Sequence, residues 1–317
     1  MSEIACFSPD DDRPHTPGRA PLWQESALFT WFDLTRGVGG FLRLGQEAVA
    51  GAQNCCFGVF TADGRRFRRN VTGAPLTADD RGEAHMAWAP HVRIDFDGAP
   101  RIRADFDACE ADLRFDDFHP RFDYSALVRG VRLAGAAHHF EVAGRVSGRL
   151  RLGDQVFELD ALGHRDRSWA NRDWSPIRST RWWPCVFGPD LATHLVHTYR
   201  APGELVKLGY VWRNGRATPV VDSDVVVRLE SDALTPRGGE ARLRLADGDE
   251  LSLRCERRDG VVLHVRGYTA VEAIGIAELD GRRGMSNLEV CNNAAGGGEP
   301  PAFTLGSNAG EGLSRRG

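Results

Sequence analysis

Residues 91–106 read HVRIDFDGAPRIRADF. Val92, Ile94 and Phe96 alternate with His91, Arg93, Asp95 and Asp97; after the turn former Asp97-Gly98-Ala99-Pro100, Ile102, Ala104 and Phe106 alternate with arginines and aspartates. Successive side chains of a strand project to opposite faces, so this period of two describes a hairpin with one buried face and one wet face. The pattern returns at Phe140, Val142, Gly144 and Val146, at Phe157, Leu159 and Ala161, at Val225, Val227 and Leu229, and at Leu251, Leu253 and Cys255. Asn214-Gly215, Asp259-Gly260 and Asp280-Gly281 read as turn pairs between such runs. No segment holds a helical period over three turns with a cap and a stop, so helices are expected only as short connectors. An antiparallel meander of this length must curl or split to avoid exposed edges, and barrels or half-barrels are the usual solution.

Composition agrees. The 317 residues are 42% hydrophobic and include 36 glycines, 16 prolines and 16 phenylalanines spread along the chain, as many short strands and tight turns require. A net charge of -4 offers no concentrated basic surface, which argues against a nucleic-acid partner. The run Arg65-Arg66-Phe67-Arg68-Arg69 reads as a solvated edge strand whose charges discourage edge pairing. Lys207 is the sole lysine and reads as solvated on a strand, opposite Val206, Leu208 and Tyr210. Seven cysteines without a C-x-x-C pair suggest reduced thiols and neither a zinc ribbon nor a disulfide framework. The start of the chain lacks a basic and an apolar region of the signal-peptide kind, and no apolar run approaches the roughly 20 residues of a membrane span, so a cytoplasmic protein is expected.

Residues 1–24 are polar and proline-rich, and residues 294–317 are glycine-rich without periodicity; both read as flexible ends. The strand rhythm breaks at 163–178, which divides the chain into β domains at 25–162 and 179–293 joined by that segment. The run Gly163 to Trp174, GHRDRSWANRDW, is the one most able to carry chemistry. In an extended chain His164, Asp166 and Ser168 share one face while Arg165, Arg167 and Trp169 share the other. Asp166 and Asp173 either pair with Arg165, Arg167 or Arg172 as a staple, or one carboxyl, its pKa raised by burial among indoles, serves as general acid or base. An indole face beside it would stabilise positive charge developing on a substrate.

Gly163, Asp166 and Trp169 match a Gly-x-x-Asp-His-x-Trp-Gly type signature, and Trp31-Phe32-Asp33, Gly39 to Gly45 and Arg172-Asp173-Trp174 match further segments of the same family. On these residues the chain, over about 25–293, resembles the AttH-like and carotenoid 1,2-hydratase (hydroxyneurosporene synthase) superfamily of tandem lipocalin-like domains. Arg167 and Ala170 stand where the hydratases have histidine and glycine. The resemblance implies an all-β fold of two consecutive lipocalin-like antiparallel β-barrels or half-barrels packed through a junction segment. It also implies a lyase or cyclase that acts without cofactor on a hydrophobic isoprenoid-, steroid- or polyketide-like molecule.

The residues expected to act are Asp166, His164, Trp169 and Asp173. Those expected to contact substrate are Trp31, Asp33, Arg167, Arg172, Trp174, Trp182, Trp183, His194, His197, Tyr199, Glu278 and Glu289. His194 and His197 fall on opposite faces of a strand, and His138 and His139 are adjacent, so neither pair is expected to chelate a metal. A Cys185 thiol beside either of the first pair reads as an inert buried thiol. No serine elbow or dinucleotide fingerprint occurs. A lipophile carrier without chemistry and a glycan-active β protein are the competing readings, and a homodimer is left open as the partner arrangement.

Overall fold

The computed structural model describes residues 6–123, 138–200, 203–265, 267–294 and 311–315. They fall into two compact units, the first formed by 6–123, 138–173 and 311–315 and the second by 174–294. Both are almost wholly β, and the only helices among the described residues are three short 3-10 turns, including Pro9–Asp12.

The first unit holds strands β1 (Trp23–Asp33), β2 (Val38–Glu47), β3 (Ala52–Phe60), β4 (Arg65–Pro75), β5 (His85–Trp88), β6 (Val92–Asp95), β7 (Arg101–Phe106), β8 (Cys109–Asp117), β9 (His138–Leu152) and β10 (Gln155–Asn171). The second holds β11 (Ser179–Gly188), β12 (Leu191–Tyr199), β13 (Leu205–Arg213), β14 (Arg216–Leu229), β15 (Pro236–Leu245), β16 (Glu250–Val265), β17 (Tyr268–Leu279) and β18 (Arg282–Asn293), which close into an eight-stranded barrel. A last strand, β19 (Gly312–Arg315), returns to the first unit, whose 11-stranded half-barrel sheet runs β19-β4-β3-β2-β1-β10-β9-β8-β7-β6-β5.

The hairpin at 91–106 forms as its alternation requires, with Val92 opposite Ala104 and Ile94 opposite Ile102. Its buried face joins Phe29, Trp31, Leu42, Phe57, Leu113, Phe115 and Val142 in the core of the first unit. Trp183, Leu195, Val211, Leu243, Leu253 and Leu288 pack the core of the barrel.

Three local expectations change. Asp259-Gly260 is not a turn: it lies inside β16 at a register shift against β17, where the Asp259 carboxylate accepts from the Gly260 N–H and a Cβ on Gly260 would meet the Glu272 carbonyl at 2.5 Å. Such a bulge admits the tight backbone approach that glycine permits. Nor is β4 a solvated edge. β19 pairs along it, and Arg65 and Arg68 form ion pairs with Asp154 and Glu311. Lys207 is half-buried, its Nζ 2.9 Å from Asp222 Oδ1.

The ends of the chain also have defined places. Asp12 is buried in the first unit, and β19 lies within the segment expected as a loose tail. β10 continues as a regular strand to Asn171, through the segment in which the rhythm of hydrophobic residues breaks.

Candidate functional site on the β9 and β10 strands

β9 and β10 pair antiparallel over most of their length, with Asp166 opposite Glu141, Ser168 opposite His139 and His164 opposite Ala143. The period of two then assembles His139, Glu141, His164, Asp166 and Ser168 on one face, and Phe140, Val142, Arg165, Arg167 and Trp169 on the other. β1 extends both faces, since Ser26 lies opposite Ser168 and Leu28 opposite Asp166. Close approach of the strands depends on glycine. Gly163 faces Gly144, where a Cβ would lie 2.2 Å from Phe115 Cε1 and 2.5 Å from the Asp116 carbonyl.

Glu141 is the hub of the polar face. His139 Nε2 lies 3.0 Å from Glu141 Oε1, His164 Nε2 lies 3.4 Å from Glu141 Oε2, and His139 Nε2 lies 3.9 Å from Asp166 Oδ2. Glu141 and His164 are fully buried and Asp166 nearly so. Burial, reinforced by the neighbouring Glu141 charge, pushes the Asp166 carboxyl up to about 6; His139, Arg172 and Arg43 oppose this less strongly. Burial also lowers the pKa of His139, against the pull of Asp166. Beside Asp166, the Ser26 and Ser168 hydroxyls are 3.0 Å apart, and the Arg172 guanidinium donates to both. The face thus combines a carboxyl that stays protonated up to about pH 6 with two imidazoles, the elements of a proton donor and acceptor. Donor atoms of His139, Glu141 and Asp166 also lie within 4.8 Å of one another, close enough to converge on one cation.

The opposite face is a structural network. Arg165 spans Asp12, at 2.6 and 3.0 Å, and Asp117, at 2.8 Å to each oxygen. Arg167 Nη2 lies 2.6 Å from Glu25 Oε1, and His15 and Arg81 complete the ring around that carboxylate. Burial alone would raise the Glu25 pKa, but Arg167, His15 and Arg81 together bring it to about 2. Trp169 stacks between His15, at 3.9 Å, and His138, at 5.3 Å. Asp166 and Trp169 therefore point to opposite faces of β10 and do not form one wall. The staple has a different composition from the one expected, because the carboxylates that meet Arg165 and Arg167 come from Asp12, Glu25 and Asp117. Residue 167 faces away from the acid cluster, so arginine in place of histidine removes nothing from it.

The other sequence candidates are dispersed. Trp31 is sealed in the core, and Asp33 accepts hydrogen bonds from Arg36 Nη1 and the N–H groups of Thr35, Arg36 and Asp160. Asp173 is exposed. In the second unit Trp174 lies 5.4 Å from the Tyr268 ring, and His194 sits between Trp182, at 5.5 Å, and Tyr210, at 5.6 Å. Trp183 Nε1 donates to Ser286 Oγ. His197 Nε2 is 2.7 Å from Ser223 Oγ, and burial together with the Lys207 and Arg181 charges lowers its pKa to about 4. Tyr199 is exposed, Glu278 pairs with Arg254 at the surface, and Glu289 accepts from Thr180 at 2.7 Å and Tyr268 at 2.8 Å.

His139 and Glu141 were missed by sequence reasoning. Their local signal is an i, i+2 pair of polar groups on one face at the head of a strand, and only the register with β10 gives that pair its partners.

A family model described as "Domain of unknown function (DUF7064)" matches residues 8–294. No curated protein matches the chain. Among solved structures, an AttH (NE1406) from Nitrosomonas europaea aligns over 92% of this chain and 97% of its own, with a TM-score of 0.66 and 12% identity. CghA crystallised with Sch210972 aligns over 92% and 97%, with a TM-score of 0.64 and 12% identity. Kievitone hydratase from Nectria haematococca aligns over 91% and 93%, with a TM-score of 0.61 and 8% identity. These likenesses show the fold, the AttH-like tandem arrangement to which the sequence signature pointed. No helix among the described residues is long and apolar enough to cross a membrane.

Proposed function

We propose that this chain, which belongs to the DUF7064 family, is a hydro-lyase or cyclase for a hydrophobic small molecule and that the polar face of β9 and β10 is its proton-transfer centre. The observation that carries this reading is the gathering of His139, Glu141, His164 and Asp166 on one buried face. Four ionisable side chains withdrawn from water are costly to fold around, and active sites are where such groups collect. The fold neighbours include a protein named as a hydratase, which supports the reaction class.

The chemistry follows from the two kinds of group. Asp166, which keeps its proton up to about pH 6, gives that proton to a carbon of a substrate double bond. For hydration, an imidazole of the cluster takes a proton from water as the water oxygen bonds to the adjacent carbon; dehydration is the reverse. For cyclisation, the cation formed by protonation is captured within the substrate, and a proton is returned to the ionised Asp166.

The test is to incubate the protein with isoprenoid, steroid and polyketide alcohols and alkenes in heavy water and read the products by mass spectrometry. Wild type is expected to yield a product that has gained or lost one water, or an isomer carrying solvent deuterium. Asp166→Asn is expected to keep binding the substrate and to lose conversion by about a hundredfold or more. A molecule bound and returned unchanged by wild type would make the protein a carrier.

A further inference from the structure

We propose that His139, Glu141 and Asp166 form a binding site for one divalent transition-metal ion of the zinc, manganese or iron(II) class. As a description of the reaction centre this rests on the function proposed above, whereas as a binding site it stands on the geometry. Two adjacent strands each contribute an i, i+2 pair to one face, and the register sets Asp166 directly against Glu141. That is how a sheet converges three ligands from two short sequence segments, with His164 beside the second oxygen of Glu141.

The spacings fit a coordination shell. Metal bonds of about 2.0–2.2 Å to nitrogen or oxygen place neighbouring ligand atoms about 3.0 Å apart at right angles and about 3.4 Å apart in a tetrahedron. His139 Nε2 and Glu141 Oε1 are 3.0 Å apart, and the donor atoms of His139, Glu141 and Asp166 all lie within 4.8 Å of one another. Asp166 Oδ2 lies 3.9 Å from His139 Nε2, under the roughly 4.2 Å that separates two ligands on opposite sides of one ion at such bond lengths. Charge agrees as well, because a dication with two carboxylates and one neutral imidazole sums to zero in a buried place. One imidazole nitrogen with two carboxylates favours zinc, manganese or iron(II) over calcium and magnesium, which prefer all-oxygen shells, and over copper(I), which prefers thiolates. With the ion bound, Asp166 is a ligand. A water on the ion, with its pKa lowered toward about 7, would then be the proton source.

The experiment uses the full-length, untagged protein, stripped with a chelator and titrated with cobalt(II) and then zinc. One cobalt per chain is expected, with visible d–d absorption that zinc displaces. Glu141→Gln and Asp166→Asn, each nearly isosteric and checked for folding by circular dichroism, should weaken binding at least about tenfold, while the distant His85→Gln should not. The proposal is overturned if folded wild type takes up no stoichiometric cobalt, or if Glu141→Gln and Asp166→Asn bind as wild type does. Absence of cobalt binding while Asp166→Asn still abolishes conversion overturns the metal site and leaves the proposed function standing. Stoichiometric binding with no conversion of any substrate supports the metal site and removes the proposed function.

Discussion

The electrostatics of Asp166 follow from its burial and from the Glu141 charge opposite it, which outweigh the pull of His139, Arg172 and Arg43. Its pKa rises from 3.8 to about 6, so the native state keeps a proton that the unfolded chain has released. The contribution of Asp166 to stability therefore falls as pH rises from about 4 through about 6 and levels off above, a loss on the order of 2–3 kcal/mol. Asp166→Asn removes that penalty. In chelator-treated protein the variant is expected to be more stable than wild type by about 2 kcal/mol near pH 8, with the difference gone near pH 4, as read by urea unfolding. A variant less stable near pH 8 would make Asp166 a structural staple. The two faces of β10 were legible in the sequence because strand periodicity is local. The partners were not: His139 and Glu141 arrive through strand register, and the acids that meet Arg165 and Arg167 lie far away in the chain.

At the scale of the element, β10 shows why a run rich in charge can still be a strand. Its arginines are neutralised on one face and its acid and imidazoles are gathered on the other, so the missing hydrophobic rhythm at 163–171 marks a change of partner rather than the end of the sheet. The pairing with β9 rests on Gly144 and Gly163, whose missing side chains let Phe115 and the backbone close in. Gly144→Ala is accordingly expected to destabilise the protein by about 1–3 kcal/mol, seen as a lower unfolding midpoint, and to weaken whatever the polar face binds. An unchanged midpoint would mean that β9 and β10 have slack that the geometry denies. Turn pairs were readable where the backbone is left-handed, as at Asn214-Gly215 and Asp280-Gly281, but the same dipeptide logic misread the bulge at Asp259-Gly260.

Across the whole molecule, the all-β class was readable because alternation recurs from end to end. Strand order was not, since nothing in a glycine-rich tail announces that β19 will return to β4. Each unit also buries a histidine held neutral. In the first, His119 accepts from the Ala143 N–H at 3.1 Å, and burial lowers its pKa to about 4. In the second, His197 is lowered to about 4 as well. A depressed histidine contributes stability that is present above its unfolded pKa of about 6.5 and is lost as pH falls toward about 4, up to about 3 kcal/mol for each group. Relative to wild type, His197→Gln should therefore lose less unfolding free energy as pH falls from about 6.5 to about 4. A slope unchanged in that variant would contradict the assignment.

The central claim, that the polar face of β9 and β10 is where a hydrophobic substrate is protonated, is tested most directly by a crystal structure of wild type with the small molecule it converts or retains. The expected result is a reacting carbon about 3–3.5 Å from the Asp166 carboxyl, or from a water on an ion held there, with His139 or His164 alongside. A ligand seated away from Asp166, with His139, Glu141, His164 and Asp166 unchanged around it, would contradict the claim.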